Sequence, residues 1–274
     1  QNGITGQTPS QSPVQLDDRL LNDANGNQWS VLRSKRLDLK SLGGGGGGDD
    51  TAIILAWLTS SGALSVSNGD YNIAGAGPDS GGVYAIITES IDVFCGPGVR
   101  FIAGALDNDM IRISVPSNGV GLTGLITMNW TGGYFDQQLQ RNSTIVPFSA
   151  QFPPANPGTS VTTDGLSLYG AYNDGAQKNG ASLISVINVE FFAGNHWESA
   201  GGDSGLYVTG GEFQYTDGIR ATGSRDSGAY LSSDNLGVLG NKTKSINGVY
   251  LNCMHGVAPK RSHFGCEIGD NKYT

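Results

Sequence analysis

The most regular pattern along this chain is an alternation of aliphatic and other residues with a period of two. It is clearest between Asp203 and Cys253, where a four-residue phrase occurs three times: Gly205-Leu206-Tyr207-Val208, Gly228-Ala229-Tyr230-Leu231 and Gly248-Val249-Tyr250-Leu251. This alternation is typical of a β-strand that buries one face. The three copies follow one another at similar intervals. Strands that recur in this way predict a stacked solenoid rather than a two-layer domain.

The fold class that this recurrence predicts is all-β, a parallel β-helix in which each turn places its strand about 4.8 Å above the preceding one. The near-universal handedness of parallel crossovers makes it right-handed. The residues expected to alternate toward the interior are Leu206, Val208, Ala229, Leu231, Val249 and Leu251. The residues expected to form a column on the outer face are Tyr207, Tyr230 and Tyr250.

A change of pattern before the first strands predicts a short helix. Residues 1–38 are polar and are expected to be an N-terminal lead-in or linker, or the end of a further domain. Six glycines, Gly43 to Gly48, are followed by Asp49-Asp50, where the N-cap of a helix belongs. The apolar residues that then share one helical face are Ile53, Ile54, Trp57 and Leu58. Such a helix would cover the first turn of the β-helix, which is assigned to residues 39–274.

Strands are predicted after this helix at Val83 to Ile87, Ile91 to Phe94 and Val99 to Ile102, and the pattern is interrupted at about residues 131–163. The prolines of this interval are Pro147, Pro153, Pro154 and Pro157. Proline cannot donate to an internal ladder of hydrogen bonds, so we expect an excursion from the β-helix there. Such loops are common places for a binding wall or a subunit contact.

The glycine turn, Asp49-Asp50-Thr51-Ala52, the amphipathic segment and Gly69-Asp70-Tyr71 together resemble the entry to the pectate-lyase-like β-helix family. That family includes bacteriophage tailspikes and secreted polysaccharide-modifying enzymes. The resemblance covers residues 39–115 and rests on the repeat elsewhere. It implies a homotrimer in the virion tail, outside the cell, that joins other tail proteins through its N-terminus and binds a bacterial surface polysaccharide. Many members of the family also cleave the polysaccharide, by hydrolysis or elimination.

Composition and charge argue against several other classes of function. The net charge of −8 argues against nucleic acid or an anionic membrane surface as the main partner. No apolar run approaches the ~20 residues that span a bilayer, so no membrane insertion is expected. Three cysteines are too few for a disulfide scaffold. No nucleotide-binding or metalloprotease motif occurs, and no cofactor is expected.

Two glutamates are the candidates for acid catalysis. Glu190 and Glu212 stand in similar contexts. An alignment of successive turns that matches these contexts places their carboxylates about 5 Å apart. Two carboxylates at that distance raise the pKa of one of them, and glycosidic cleavage needs one protonated acid. The nearby acids that would complete such a set are Asp203, Asp217 and Asp226. The alternative is that all of these are solvated acids on an acidic surface.

The residues expected to contact the sugar are Tyr207, Tyr230, Tyr250 and Trp197. Exposed rings at the spacing of successive turns form a surface on which sugar rings stack. The alternative is that these rings lie under the long loop or in a subunit interface.

A further cluster has the residue types of a zinc site and consists of Cys253, His255, His263 and Cys266. Its spacing fits no common zinc finger. Residues on a rigid turn also point in divergent directions, so buried thiols and surface histidines are the favoured interpretation and no metal site is predicted.

The function predicted from these observations is that of a tailspike-like protein that binds a bacterial surface polysaccharide and, where the acids act, depolymerises it. One alternative is a structural or receptor-binding tail protein without catalysis, whose adsorption survives the loss of both glutamates. The other is a secreted bacterial polysaccharide lyase or epimerase, which is expected to act as a monomer.

Overall fold

The structure is a computed structural model that describes residues 20–22, 28–30, 36–74, 82–104, 106, 108–116, 125–140, 163–170, 182–199, 201–232, 242–260 and 265–274. Contacts within the chain separate residues 1–37 from residues 38–274 as two compact units. The smaller unit contains an antiparallel pair of strands, β1 (Leu20–Asn22) and β2 (Gln28–Ser30). The short strand β3 (Leu37–Asp38) follows.

The helix predicted after the glycine run is present. A 3-10 helix at Leu39–Leu42 comes first, and α1 (Thr51–Thr59) follows the glycines. Ile54, Trp57 and Leu58 of α1 are fully buried. The helix therefore presents one apolar face to the interior, as its sequence pattern indicates.

Asp50 has a different role from the helix cap that the sequence suggests. It stands at the N-cap position, but its side chain forms no capping hydrogen bond. Its two carboxylate oxygens accept hydrogen bonds from the backbone N–H groups of Gly45 and Asn72, both at 2.9 Å. Because Asn72 lies in the second strand after the helix, the hydrogen bonds of the Asp50 carboxylate connect the glycine run to the sheets.

Twenty strands follow α1 in the part of the chain that the structure describes. In chain order they are β4 (Gly62–Val66), β5 (Gly69–Ile73), β6 (Val83–Ile86), β7 (Ile91–Cys95), β8 (Val99–Ala103), β9 (Ile111–Ser114), β10 (Ile126–Thr131), β11 (Tyr134–Asp136), β12 (Leu166–Tyr169), β13 (Ser182–Ile187), β14 (Glu190–Phe192), β15 (Leu206–Thr209), β16 (Phe213–Asp217), β17 (Arg220–Thr222), β18 (Ser227–Ser232), β19 (Lys242–Ile246), β20 (Val249–Leu251), β21 (His255–Lys260), β22 (Cys266–Gly269) and β23 (Lys272–Tyr273).

These strands form three parallel sheets in strict rotation. The first sheet contains β3, β4, β7, β10, β13, β16, β19 and β22, the second β5, β8, β11, β14, β17, β20 and β23, and the third β6, β9, β12, β15, β18 and β21. From β4 to β20, each strand pairs in parallel with the strand three places after it. The fold is therefore mostly β, and the stacking is consistent with a parallel β-helix. We call three consecutive strands, one from each sheet, a triplet.

The repeat is longer and less even than the tyrosine phrases suggest. In the first sheet Gln214 pairs with Thr243, and these two residues are further apart in the sequence than any two successive phrases. In the third sheet Tyr207 pairs with Tyr230, but Tyr230 pairs with Ala258 after a wider interval. The connections between sheets thus vary in length while the strands keep their register.

The buried faces of the sheets share an aromatic core. On the second sheet the ring of Phe135 stacks on those of Phe101 and Phe191, with centroids 5.0 and 5.1 Å apart. Trp130 of the first sheet packs against Phe135 at 5.9 Å, and its ring contacts that of Trp57 in α1 edge to face at 6.4 Å. The helix and the first two sheets are therefore joined by one set of aromatic contacts.

The two-residue connections from the first to the second sheet use a left-handed backbone. Positive φ recurs at the same place in five of them, at Gly132, Asn188, Gly218, Asn247 and Asp270. Glycine adopts this conformation freely, and asparagine and aspartate adopt it more readily than other residues. At Gly132 a side chain is also excluded, because a Cβ would lie 2.7 Å from the carbonyl oxygen of Cys95.

The stack of strands continues past residue 131, where the sequence predicts the start of an excursion. Tyr134–Asp136 forms β11 within the second sheet, so the chain is still in the stack after residue 131. Residues 141–162, which contain the four prolines, lie outside the described residues. Among the helices that are described, none is long and apolar enough to cross a membrane.

Candidate binding face of the third sheet

The outward face of the third sheet carries a row of aromatic and cationic side chains, most of them partly buried, which we call the tyrosine–cation row. Its members, in the order of the strands, are Tyr84, Arg112, Tyr169, Tyr207, Tyr230 and Lys260. Tyr207 and Tyr230 are paired residues of β15 and β18, and their ring centroids are 4.7 Å apart with planes inclined by 10°. Tyr169 stands two residues beyond Ser167, the residue that pairs with Tyr207, and its ring lies 5.6 Å from that of Tyr207. The spacing of stacked parallel strands builds this column.

Both cations of the row lie against tyrosine rings. The guanidinium carbon of Arg112 is 3.9 Å from the ring centre of Tyr169 and 5.0 Å from that of Tyr84. Nζ of Lys260 is 4.8 Å from the ring centre of Tyr230. The attraction of a cation to an aromatic face contributes about 0.5–1 kcal/mol at exposed sites. Arg112 and Lys260 therefore bound the tyrosine stack on its two sides.

The stacking changes what the tyrosines can offer to a ligand. The sequence predicts free ring faces for sugars, but Tyr207 and Tyr230 turn one face of each ring toward the other. Tyr169 and Lys260 contact the two outer faces of that pair. What remains are ring edges and phenol hydroxyls, and a hydroxyl both donates and accepts hydrogen bonds. The row is therefore better suited to regular hydrogen bonding than to ring stacking.

Tyr250 does not belong to this row, and the prediction of its outward position is wrong. It lies on β20 in the second sheet and is buried. Its neighbours Val249 and Leu251, which were expected in the interior, are partly and largely exposed. The phrase that contains Tyr250 thus alternates in the opposite sense in another sheet. The residue in register with Tyr230 is Ala258.

Trp197 also lies apart from the strands of the third sheet. It begins a 3-10 helix, Trp197–Ser199, in the connection from β14 to β15, and its ring contacts that of His196 at 5.5 Å. Its backbone N–H donates a hydrogen bond to the carbonyl oxygen of Asn252 at 3.1 Å. The side chain is partly exposed, but it stands in a connection rather than on a strand face.

The two glutamates predicted to form an acid pair lie at different sheets. Glu190 is the first residue of β14 in the second sheet, in register between Tyr134 and Arg220. Glu212 directly precedes β16 of the first sheet, and its N–H donates to the carbonyl oxygen of Ser182 at 2.8 Å. The two glutamates therefore do not occupy equivalent positions in successive turns. The alignment that placed their carboxylates side by side is wrong.

A different pair of carboxyl groups lies in register at the start of the third sheet. Asp109 and Asp164 precede β9 and β12 at equivalent positions, and the backbone N–H of Asp164 donates to Oδ1 of Asp109 at 3.1 Å. Oδ1 of Asp164 accepts in turn from the N–H of Ser204 at 2.9 Å. Burial, followed by the charge of Asp109, raises the pKa of Asp164 well above its usual value. Both side chains are buried and hold the starts of the strands together.

Asp203 and Asp226 form a second pair in register on the same edge. The N–H of Asp226 donates to the carbonyl oxygen of Asp203 at 2.8 Å, and the pair stands shortly before Tyr207 and Tyr230 in the sequence. Burial, followed by the charge of Asp226, raises the pKa of Asp203 to about 6. Nδ1 of His255 lies 3.5 Å from Oδ1 of Asp226. A carboxyl group with a raised pKa therefore stands beside a second carboxyl group on adjoining strands.

Sequence reasoning missed Arg112, Tyr169, Lys260 and the buried Asp164. A signal existed for Tyr169, because residues 165–169 alternate like the tyrosine phrases and end on an outward aromatic residue. Arg112 gave no such signal, since an isolated cation between apolar residues is ordinary for an outward strand position, and the pair Lys260-Arg261 is equally ordinary in a polar segment. The contacts of Arg112 and Lys260 with rings depend on the pairing of distant strands.

The cysteine and histidine cluster does not assemble in the part of the chain that is described. No group of three or more histidine, cysteine, aspartate or glutamate side chains there is arranged to hold a metal ion. Cys253 is partly buried and Cys266 is exposed. His263 lies outside the described residues.

Comparison of this chain with models of protein families, with curated proteins and with solved structures found no significant match. The stacked sheets and the chemistry of their exposed faces are therefore the observations from which a function is inferred.

Proposed function

We propose that this chain is a right-handed parallel β-helix, similar to phage tailspikes, that binds a bacterial surface polysaccharide along the exposed face of the third sheet. The rotation of strands through three parallel sheets supports the β-helix, and the crossover rule for parallel strands supports its hand. The entry motif, Asp49-Asp50-Thr51-Ala52 with α1 and Gly69-Asp70-Tyr71, supports the tailspike relationship. In this proposal the protein is a homotrimer of the virion tail, outside the cell, and joins other tail proteins through its N-terminal residues.

The tyrosine–cation row is the observation that carries the proposal. Its stacked tyrosines are 5.6 and 4.7 Å apart, so similar groups recur at the interval of the strands. A linear polymer of repeating sugars can make similar contacts at the three strands that carry these tyrosines, β12, β15 and β18. Several weak contacts to one polymer then add up to strong binding, because each further contact is intramolecular. A small compact ligand would gain little from such repetition.

Affinity electrophoresis in gels that contain purified capsular or O-antigen polysaccharides from a panel of bacteria tests this function. We expect at least one polymer to retard the protein. Tyr230→Phe removes a hydroxyl but keeps the ring stack. We expect it to lower the affinity by roughly five- to tenfold, since it deletes one hydrogen bond to the ligand.

Tyr215→Phe is the matched control, because Tyr215 lies on the exposed face of the first sheet, and it is expected to bind like the parent protein. If Tyr230→Phe also binds like the parent, the row does not contact the polymer through that hydroxyl. If no polymer of the panel retards the parent protein, polysaccharide binding is contradicted. A row covered by a subunit interface is then the remaining explanation of the tyrosine stack.

Cleavage of the polymer is a second candidate function, and the Asp203–Asp226 pair favours it. Glycosidic cleavage uses one protonated carboxyl group and a second carboxylate nearby, and burial raises the pKa of Asp203 to about 6. Release of oligosaccharides from a bound polymer, lost in Asp203→Asn with binding retained, is the expected result for an enzyme. Binding without release from any bound polymer identifies a non-cleaving receptor-binding tail protein. A monomer by light scattering favours the secreted lyase or epimerase instead.

A further inference from the structure

The third sheet differs from the other two in the charges on its strands. Its six strands contain no aspartate or glutamate, and their only arginine or lysine residues are Arg112 and Lys260. Carboxylates on the strands of the first sheet include Asp92, Asp217 and Glu267, and those on the second are Asp70, Asp136 and Glu190. The whole chain carries a net charge of −8. The strands of the third sheet therefore carry only positive charge, while Asp109, Asp164, Asp203 and Asp226 stand just before four of them.

The two cations of this face also lack the carboxylate partners that a cation on the second sheet has. Arg100 of the second sheet lies 3.5 Å from Asp70 and 3.6 Å from Asp136. Within the described residues Arg112 and Lys260 form no salt bridge, and their charged groups lie against tyrosine rings. Two cations that lie against tyrosine rings and have no carboxylate partner among the described residues are complementary to an anionic ligand.

We propose that the polysaccharide bound by this face carries carboxylate groups, and that Arg112 and Lys260 select for them. The proposal rests on the proposed function and names the chemical class of its ligand. A guanidinium group presents paired N–H donors that match the geometry of a carboxylate. Because Tyr84 and Tyr169 lie on either side of the Arg112 guanidinium, little side-chain freedom is lost when the carboxylate binds.

The positions of the two cations suit a polymer rather than a single sugar acid. They lie on β9 and β21, which are four strand spacings apart in the third sheet. That separation is about 19 Å at 4.8 Å per strand. A polymer with a carboxylate in each repeat can contact both cations at once, whereas a monosaccharide cannot. The tyrosine hydroxyls between them are left to contact the uncharged hydroxyls of the sugars.

Carboxyl groups precede the strands of the row, at the edge where those strands begin. Asp203 and Asp226 each stand four positions before a tyrosine of the row, Tyr207 and Tyr230. This separation is about 13 Å along an extended chain. Asp109 stands closer, three positions before Arg112. A polymer that lies along the row therefore meets the two cations within the row and these carboxyl groups at its edge.

The test compares each polysaccharide that retards the protein with its carboxyl-reduced form, in which every carboxylate becomes an alcohol while the linkages stay the same. We expect the native polymer to bind at least about tenfold more tightly than the reduced one. Arg112→Gln and Lys260→Gln are each expected to lower the affinity for the native polymer roughly tenfold, and to leave the affinity for the reduced polymer unchanged. The difference between the two polymers should shrink as salt is added.

Arg220→Gln is the matched control, since Arg220 is an exposed arginine on β17 of the second sheet. It is expected to bind like the parent protein, and thermal melting followed by circular dichroism checks that all variants fold. Arg112→Lys keeps the charge without the planar donor pair, so an intermediate affinity is expected.

Three outcomes would overturn the inference, and they differ in what else they remove. Equal binding of native and reduced polymers, with no effect of Arg112→Gln, would contradict the recognition of carboxylates but leave polysaccharide binding in place. Failure of every polymer to bind removes the proposed function as well. Equal retardation by single-stranded DNA at the same ionic strength shows a general attraction to polyanions and removes the assignment to a polysaccharide.

Discussion

The buried face of the first sheet is filled with different side chains in the early triplets and in the late ones. Along one buried row of the first sheet, the residues from β4 to β19 are Leu64, Val93, Trp130, Val186, Thr216 and Ser245. The neighbouring row changes from Met128 and Ile184 to Gln214 and Thr243. In both rows the change from apolar to polar side chains falls between β13 and β16. We call the two parts the apolar region and the polar region.

The comparison shows that one backbone arrangement is held together in two ways. In the apolar region, burial removes surface from water and stabilises the fold without strict demands on direction. In the polar region, Nε2 of Gln214 donates to the carbonyl oxygens of Gly210 and Ser232, both at 2.7 Å, and its Oε1 accepts from the hydroxyl of Thr243 at 3.2 Å. A buried polar group is costly unless its partner is in place. The polar region is therefore expected to stabilise less and to depend more on correct register.

The largest effect is expected in the apolar region, at the centre of the aromatic stack. Phe135 is fully buried between the rings of Phe101 and Phe191. Phe135→Ala is expected to lower the free energy of unfolding by about 3–5 kcal/mol, because lost burial and a residual cavity add together. Urea denaturation measures the change. Tyr134→Ala, next to it on the exposed face, should cost about 1 kcal/mol or less, and equal losses in the two variants would contradict the stack as the source of stability.

The next effect is expected in the polar region. Gln214→Leu removes the donor to the carbonyl oxygens of Gly210 and Ser232, and also the acceptor of Thr243. We expect the free energy of unfolding to fall by about 2 kcal/mol although the new side chain is more apolar, since buried polar groups lose their partners. Gln138→Leu, at an exposed glutamine, is the control and should be nearly neutral in the same urea titration. A gain in stability for Gln214→Leu would mean that the polar ladder is a defect rather than a support.

A third effect comes from the buried carboxyl groups of Asp109 and Asp164, which lie in register within the apolar region. Burial, and then Asp109, raises the folded-state pKa of Asp164 above its ordinary value of 3.8. The stabilisation that the proton provides is therefore complete below that ordinary value and is lost as the pH rises through the folded-state pKa. Over that window the free energy of unfolding should fall by up to about 1.4 kcal/mol per pH unit.

Urea midpoints measured between pH 4 and pH 8 for the parent and for Asp164→Asn check this dependence. The amide cannot titrate, so the part of the slope that Asp164 causes should disappear in the variant. If the two proteins show parallel profiles, the proton on Asp164 is not linked to folding.

The sequence alone was more informative in the apolar region than in the polar one. It predicts strands at Val83 to Ile87, Ile91 to Phe94 and Val99 to Ile102, and β6, β7 and β8 are found there within one residue at each end. It also predicts a helix where α1 lies. Both signals are local, because the period of the apolar positions within a few consecutive residues distinguishes a strand from a helix.

The same reasoning failed in the polar region because the residues of a single strand do not determine the sheet to which the strand belongs. Residues 248–251 share their pattern with two strands of the third sheet, yet Tyr250 belongs to the second. The left-handed Asn247 just before them marks the passage from the first sheet to the second, and that signal could have been used. The contact of Arg112 with Tyr169 depends on the pairing of β9 with β12, which are separated in the sequence by β10 and β11. No local pattern predicts it.

The smallest effect gives the most direct test of the boundary between the two regions. Val186 and Thr216 are paired residues of β13 and β16 in one buried row, and their side chains differ by a methyl group in place of a hydroxyl. Oγ1 of Thr216 has no hydrogen-bond partner among the described residues. Thr216→Val is expected to raise the free energy of unfolding by about 1 kcal/mol. In the parent protein, folding buries the threonine hydroxyl without a hydrogen-bond partner, and valine does not carry this cost.

The reciprocal change, Val186→Thr, places a hydroxyl among apolar neighbours and is expected to lower the free energy of unfolding by about 1 kcal/mol or more. Urea denaturation of both variants under one set of conditions measures the two signs. Opposite signs would mean that a hydroxyl destabilises the interior at β13 and that its removal stabilises the interior at β16. The polar region would then consist only of Gln214 and its hydrogen-bond partners. A loss in Thr216→Val would instead mean that Thr216 is itself hydrogen-bonded, and that the polar interior is a connected network across both rows.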